Sequence, residues 1–107
     1  MNRFMRMIIL FDLPTLTYND MVSYRRFRKF LIKNGFIMMQ ESIYSKLIIN
    51  RNSLVLIKKR VVENLPSNGN IQLLEITEKQ FASIEYLCGK PQNRVIDSEK
   101  RVVEIWN

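Results

Sequence analysis

An α+β fold of order βαββαβ, extended by one further strand at the C-terminus, is predicted from three observations. The first is the run Met7-Ile8-Ile9-Leu10-Phe11, closed by Asp12-Leu13-Pro14. Consecutive large apolar residues read as a strand buried on both faces, and the proline turns the chain off the sheet. The second is a pair of stretches, 17–34 and 53–65, whose apolar residues recur at helical spacing between capping residues. The third is the isoleucine- and leucine-rich composition of 36–49 and 71–76, which favours strands.

Taken in order, Thr17-Tyr18-Asn19-Asp20 has the pattern of a capping box that opens a helix. Asn34-Gly35 closes it, glycine being suited to the left-handed position after a helix. At ~100° per residue, Tyr24, Phe27 and Leu31 gather on one face, with Phe30 to one side. Arg25, Arg26, Lys29 and Lys33 fall on the other, and Arg28 lies at the boundary beside the apolar stripe. A run of charges is usually a solvated face; phosphate contact is the functional alternative, with Arg28 its foremost candidate.

From Phe36 to Ile49 the composition is that of strand. Alternation from Ser42 puts Ile43, Leu47 and Ile49 on one face and Ser42, Tyr44 and Lys46 on the other. Gln40-Glu41-Ser42 interrupts the pattern, and a bulge, a bend or a tight reversal fits it equally well. Asn50-Arg51-Asn52-Ser53 reads as a loop ending in a cap. The helix that follows aligns Leu54, Ile57, Val61, Val62 and Leu65, with Lys58, Lys59 and Arg60 nearby. Pro66 stops it, and Ser67-Asn68-Gly69 turns the chain into a strand at 71–76. Thr77-Glu78-Lys79-Gln80 is a second capping box, opening a short helix at Phe81-Ala82. Ile84 to Cys88 reads as strand. A polar loop from Gly89 then leads to Arg101-Val102-Val103-Glu104-Ile105-Trp106, a short apolar strand that needs a sheet edge. The edge is the chain's own or a partner's; in a two-fold dimer the second choice staples the subunits reciprocally.

With 107 residues the chain forms one domain, 1–107, large enough to bury roughly 65% of its unfolded surface. It carries 17 Lys and Arg against 10 Asp and Glu, a net charge of +7. That balance attracts polyanions without saying which. Anionic membrane is the competitor to nucleic acid, but no apolar run reaches the ~18 residues of a spanning helix, so no membrane partner is expected. The segment before the first strand is too short for a signal peptide, and a cytoplasmic location is expected.

Absences narrow the chemistry. There is no histidine to act as base, acid or ligand. The single cysteine, Cys88, rules out an internal disulfide and a zinc knuckle; following an apolar run, it is expected to be buried and inert. Gly35, Gly69 and Gly89 are isolated, so no phosphate-cradling loop is present. Any catalysis must rest on carboxylates and a hard metal ion. Asp12 is the foremost candidate, because an ionised carboxylate beside that much hydrocarbon is costly unless compensated. A turn-forming aspartate is its structural alternative.

Strand, helix, strand pair, helix and strand, with both helices on one face, is the split-βαβ ferredoxin-like plan. Many functions use that plan, but the ordered motifs are narrower. The strand ending Phe11-Asp12-Leu13-Pro14, the helix Tyr24-Arg-Arg-Phe-Arg-Lys-Phe-Leu31, Gly35-Phe36 and Gln40-Glu-Ser-Ile-Tyr-Ser-Lys46 together resemble the small CRISPR-associated protein two family. The stretch Gly69 to Phe81 is similar to the subgroup found beside type II-A effectors. The match covers nearly the whole chain, with Phe11 standing where the family often has tyrosine, a change expected to matter little.

The resemblance implies a homodimer in which residues 89–107, a loop and a strand, pack on the partner subunit. It implies that Asp12 is a catalytic and metal-binding aspartate, holding a divalent ion, usually magnesium, at the dimer interface. It implies nucleic-acid contacts from the arginine helix, Arg28 foremost, with Arg25, Arg26 and Lys29 candidates to share them. The family role is that of a bridge in spacer acquisition, holding double-stranded DNA between dimers of the CRISPR integrase, CRISPR-associated protein one. Members are also described as metal-dependent RNases or DNases. One carboxylate per chain is a thin supply for octahedral magnesium, and a two-fold axis near Asp12 would provide two. Two such carboxylates repel, so metal occupancy and any hydrolysis are expected to rise with pH. The scaffold role asks less of the residues and is the favoured expectation. A stand-alone magnesium-dependent endoribonuclease, toxin-like, is the alternative. A single-strand RNA module of RRM type is disfavoured, since Ile71 to Ile76 lacks the closely spaced aromatics it needs.

Overall fold

In the computed structural model, which describes residues 4–91, four antiparallel strands form one sheet in the order β2-β3-β1-β4. The elements are β1 (Met5–Asp12), α1 (Tyr18–Lys33), β2 (Ile37–Gln40), β3 (Ile43–Ile48), α2 (Arg51–Glu63), β4 (Asn70–Thr77) and α3 (Glu78–Ala82). This is the ferredoxin-like split βαβ plan predicted from the sequence. The C-terminal strand expected at 101–106, and most of the 89–107 unit, lie outside the described residues.

The apolar run of β1 makes it the central strand, paired with β3 from Met5↔Ile48 to Leu10↔Ile43 and with β4 from Met5↔Thr77 to Asp12↔Asn70. Side chains alternate across a sheet and paired residues share a face. Met7, Ile9 and Phe11 therefore lie on the same side as Tyr44 and Ile48. They form the core with Phe27 and Leu31 of α1 and Leu54, Ile57 and Val61 of α2. Both long helices thus cover one face of the sheet. Ile8, on the other face, is buried as well, as expected of a strand covered on both sides, whereas Leu10 is half-buried.

The capping boxes form as predicted. The Thr17 hydroxyl accepts from the Asp20 amide at 3.0 Å, and the Asp20 carboxylate accepts from the Thr17 amide at 3.1 Å. Gln80 and Thr77 repeat the pattern at the start of α3. Helix α1 ends at Asn34, after which Gly35 takes φ +89°, the conformation that favours glycine.

Several expectations are corrected. The choice left open at 40–42 is settled as a reversal: Glu41-Ser42 turn the chain between β2 and β3, and a register shift lies just before it in β2, between Met38 and Gln40. The apolar set Ile43, Leu47 and Ile49 does not face the core. Tyr44 and Ile48 do, because the pairing Ile9↔Tyr44 fixes that face, and Leu47 and Ile49 are exposed. Helix α2 starts earlier than read, with Asn50 as its cap accepting from the Ser53 amide at 2.8 Å. Val62 and Leu65 lie off its buried stripe and are exposed. No strand forms at 84–88, and Cys88 is exposed rather than buried.

Just before that stretch, α3 is held by a clamp from β1. Arg6 donates through Nε to Glu78 at 2.9 Å and through Nη2 to the second carboxylate oxygen at 2.6 Å, while its guanidinium lies 4.2 Å from the Phe81 ring centre. Arg6 is on the sheet face away from α1 and α2, so this clamp lays α3 on that face. The two hydrogen bonds from Arg6 hold the Glu78 carboxyl below its ordinary value. A carboxyl lowered by folding contributes stability above its unfolded value and loses it as the pH falls through the folded one. Glu78→Gln is therefore expected to lower the melting temperature most at neutral pH and progressively less as the pH falls below the ordinary carboxylate range. A loss that does not shrink as the pH falls would contradict the ionic character of the clamp.

Candidate metal and nucleic-acid site

Asp12 is the last residue of β1 and is exposed. It pairs with Asn70 and, by alternation, shares the face away from α1 and α2 with Ile8 and Leu10. Its neighbour Phe11 points the opposite way, into the core, with its ring 5.3 Å from Phe27, 5.7 Å from Tyr44 and 6.0 Å from Tyr24 between centroids. The strand end is thereby anchored from beneath. It is also braced from the side by Gly69, at φ +98°, where a Cβ would stand 2.7 Å from the Asp12 carbonyl oxygen and 2.5 Å from the Leu13 side chain. Only glycine admits so close an approach. The sequence signalled a turn at Ser67-Asn68-Gly69 but not that its glycine supports the candidate aspartate.

Among the described residues no group of three or more Asp, Glu, His or Cys side chains is placed to hold a metal ion. Asp12 offers a hard carboxylate oxygen donor, the chemistry magnesium takes, but one chain does not complete a site.

The four predicted cations lie elsewhere. Arg25, Arg26, Arg28 and Lys29 are exposed on α1, in the helical layer that covers the opposite face from Asp12. The structure does not bring them to the aspartate. Arg28 is distinguished from the others by a partner: its Nε donates to the Tyr44 hydroxyl at 2.8 Å. Tyr44 is fully buried and sits opposite Ile9, three residues before Asp12, or about 10 Å back along the strand. Burial pushes its phenol above the ordinary value, against the opposing pull of Arg28. Sequence placed Arg28 at the edge of the apolar stripe, and the structure agrees; it missed the tyrosine, whose position in the polar set of β3 was the available signal.

The second basic cluster is partly engaged. Lys58 pairs with Glu75 of β4 at 2.9 Å, and Arg60 donates to the Asn34 side chain at 3.5 Å. Lys59 is exposed.

The family model described as "CRISPR associated protein Cas2" matches residues 5–84. The chain belongs to the Cas2 family. It is 48% identical over 99 residues to the "CRISPR-associated endoribonuclease Cas2" of Streptococcus mutans serotype c, covering 92% of this chain and 91% of that one. It is 41% identical to the protein of the same name from Treponema denticola, with 92% and 98% covered. A structure described as "Crystal structure of cas2" superposes with a TM-score of 0.59 at 16% identity, covering 88% of this chain and 97% of that one, and so shares the Cas2 fold.

Because Asp12 is exposed and its side chain has no ion pair or hydrogen bond among the described residues, it contributes little to folding. Asp12→Ala is expected to change unfolding free energy by less than about 0.5 kcal/mol in a denaturant titration, whereas Gly69→Ala, strained at its φ and crowded by Leu13, is expected to cost distinctly more.

Proposed function

We propose that this Cas2 chain acts as a homodimeric, duplex-DNA-binding scaffold of CRISPR spacer acquisition, bridging dimers of the CRISPR integrase. The observation that carries the reading is that Asp12 and the cations of α1 lie on opposite sides of the sheet. On the face away from α1 and α2, Asp12 is accompanied by solvent-exposed apolar residues, Leu47 and Leu74 among them. The loop beyond α3 adds exposed Tyr86 and Leu87. A basic protein that leaves such residues uncovered has a surface for a partner. A second copy of the same face is the simplest one, since a two-fold contact is self-complementary. Pairing there leaves α1 of each subunit facing outward, with Arg25, Arg26, Arg28 and Lys29 available to phosphates.

A two-fold axis passing near the ends of β1 would also bring two Asp12 carboxylates together and make good the shortage of ligands in a single chain. A divalent ion such as magnesium, when bound there, would supply an activated water and charge compensation for phosphodiester hydrolysis. The chain's own part is to hold the carboxylate at the strand end, anchored by Phe11 and braced by Gly69. A stand-alone endoribonuclease is the second reading, favoured by the names of the Streptococcus and Treponema relatives. The scaffold reading is preferred because binding a duplex backbone needs only positioned cations, without base readout or a second acid.

Duplex affinity should fall linearly with salt on logarithmic axes, with a slope of about 0.9 for each phosphate neutralised. Replacing Arg25, Arg26 and Arg28 together by Ala is expected to reduce that slope by about 2 to 3 while the circular dichroism spectrum is unchanged. An unchanged slope would remove α1 from the DNA surface. Asp12→Ala is expected to abolish any metal-dependent cleavage of RNA or DNA but to retain spacer uptake with the integrase. Loss of uptake by a variant that still dimerises would favour the nuclease.

A further inference from the structure

We infer that Tyr44 is a positioning residue for nucleic-acid binding: its buried hydroxyl holds the Arg28 guanidinium in one orientation, so that α1 presents a preset phosphate ligand. The inference rests on the reading of α1 as a DNA surface and specifies how one of its cations works.

The geometry behind it is a chain of fixed parts. Tyr44 is fully buried, stands between Ile9 of β1 and Met38 of β2, and stacks on Phe11 with an interplanar angle of 26°. Its ring is enclosed on all sides, so its hydroxyl marks a defined point beneath α1. Arg28 meets that point with Nε, the innermost of its nitrogens. A guanidinium is a rigid planar fork, and fixing Nε fixes the plane in which both Nη groups lie. Among the described residues those Nη groups have no protein acceptor, and the residue is exposed. Two donors are thus held at the surface in a fork that matches the oxygens of a phosphate.

Arg25, Arg26 and Lys29 differ. Among the described residues none has a side-chain acceptor, and each must give up its freedom when it meets a phosphate. Arg28 has given up much of it already, which is the advantage of preorganisation. The same hydrogen bond also satisfies a buried phenol, and a purely structural role would show in stability alone. The two roles are separable by experiment.

Binding of a fluorescent DNA duplex is measured against salt for the wild type, Tyr44→Phe, Arg28→Ala, Arg28→Lys and the double variant Tyr44→Phe/Arg28→Lys, with melting temperatures alongside. Tyr44→Phe is expected to weaken binding about three- to tenfold, the worth of one hydrogen bond in an equilibrium. Its salt slope should stay unchanged, because Arg28 keeps its charge. Arg28→Ala is expected to weaken binding further and to reduce the slope by about 0.9. Arg28→Lys, which keeps the charge but not the fork, should match Tyr44→Phe, and adding Tyr44→Phe to it should cost nothing more. If Arg28→Ala binds like the wild type, the DNA-surface reading fails at this residue. If Arg28→Ala binds weakly while Tyr44→Phe melts lower but binds like the wild type, the positioning role is overturned and the surface stands. Should Tyr44→Phe not fold, Arg28→Lys decides alone: wild-type affinity would overturn the inference.

Discussion

The packing of Phe11 against α1 and β3 is the contact on which the rest of the structure depends. Its ring meets Phe27 edge-on at 89° and Tyr44 nearly parallel at 26°, with Tyr24 closing the third side. Aromatic pairs in these arrangements add about 0.5–1.5 kcal/mol beyond their burial. Their larger effect here is geometric. Phe11 is one residue from Asp12, Phe27 is one residue from Arg28, and Tyr44 carries the hydroxyl that Arg28 uses. One cluster therefore fixes both the acid at the end of the central strand and the cation on the helix above it. That an aromatic is needed at position 11 follows from this packing, and phenylalanine meets the need without a hydroxyl.

The alternation of β1 then separates two chemistries that would otherwise cancel. An acid and several arginines brought into one pocket would neutralise each other and bind neither metal nor phosphate strongly. Odd-numbered residues of β1 carry the helical layer, and even-numbered residues carry Arg6, Ile8, Leu10 and Asp12 to the other face. Helix α1 is left cationic on one side of the sheet, and the acid lies on the other. Arg6, the one cation on the even-numbered side of β1, is turned to structural use by Glu78 and Phe81.

Most of the fold was legible because its signals were local. The apolar run of β1, both capping boxes, Gly35 after α1 and the proline after α2 each name an element boundary without reference to anything distant. What the sequence hid was set by pairing across the sheet. Which face of β3 is buried depends on its register with β1, and Tyr44 looked polar beside Ile43 and Leu47 until Ile9 was placed opposite it. Residues 84–88 have apolar residues enough for a strand, but they follow α3 as a loop. Asp12 was legible as a candidate from its place after an apolar strand. Its support by Gly69 was not, because that contact joins residues far apart in sequence.

The central claim is that two copies meet through the sheet faces away from α1 and α2, with the ends of their β1 strands adjacent. A spin label at position 70, opposite Asp12 on that face, introduced as Asn70→Cys in a Cys88→Ser background, tests it directly by pulsed dipolar spectroscopy. The account predicts one short, narrowly distributed distance between labels in the dimer. A monomer with no dipolar signal, or a distance that puts the two labels at opposite ends of the assembly, would contradict it.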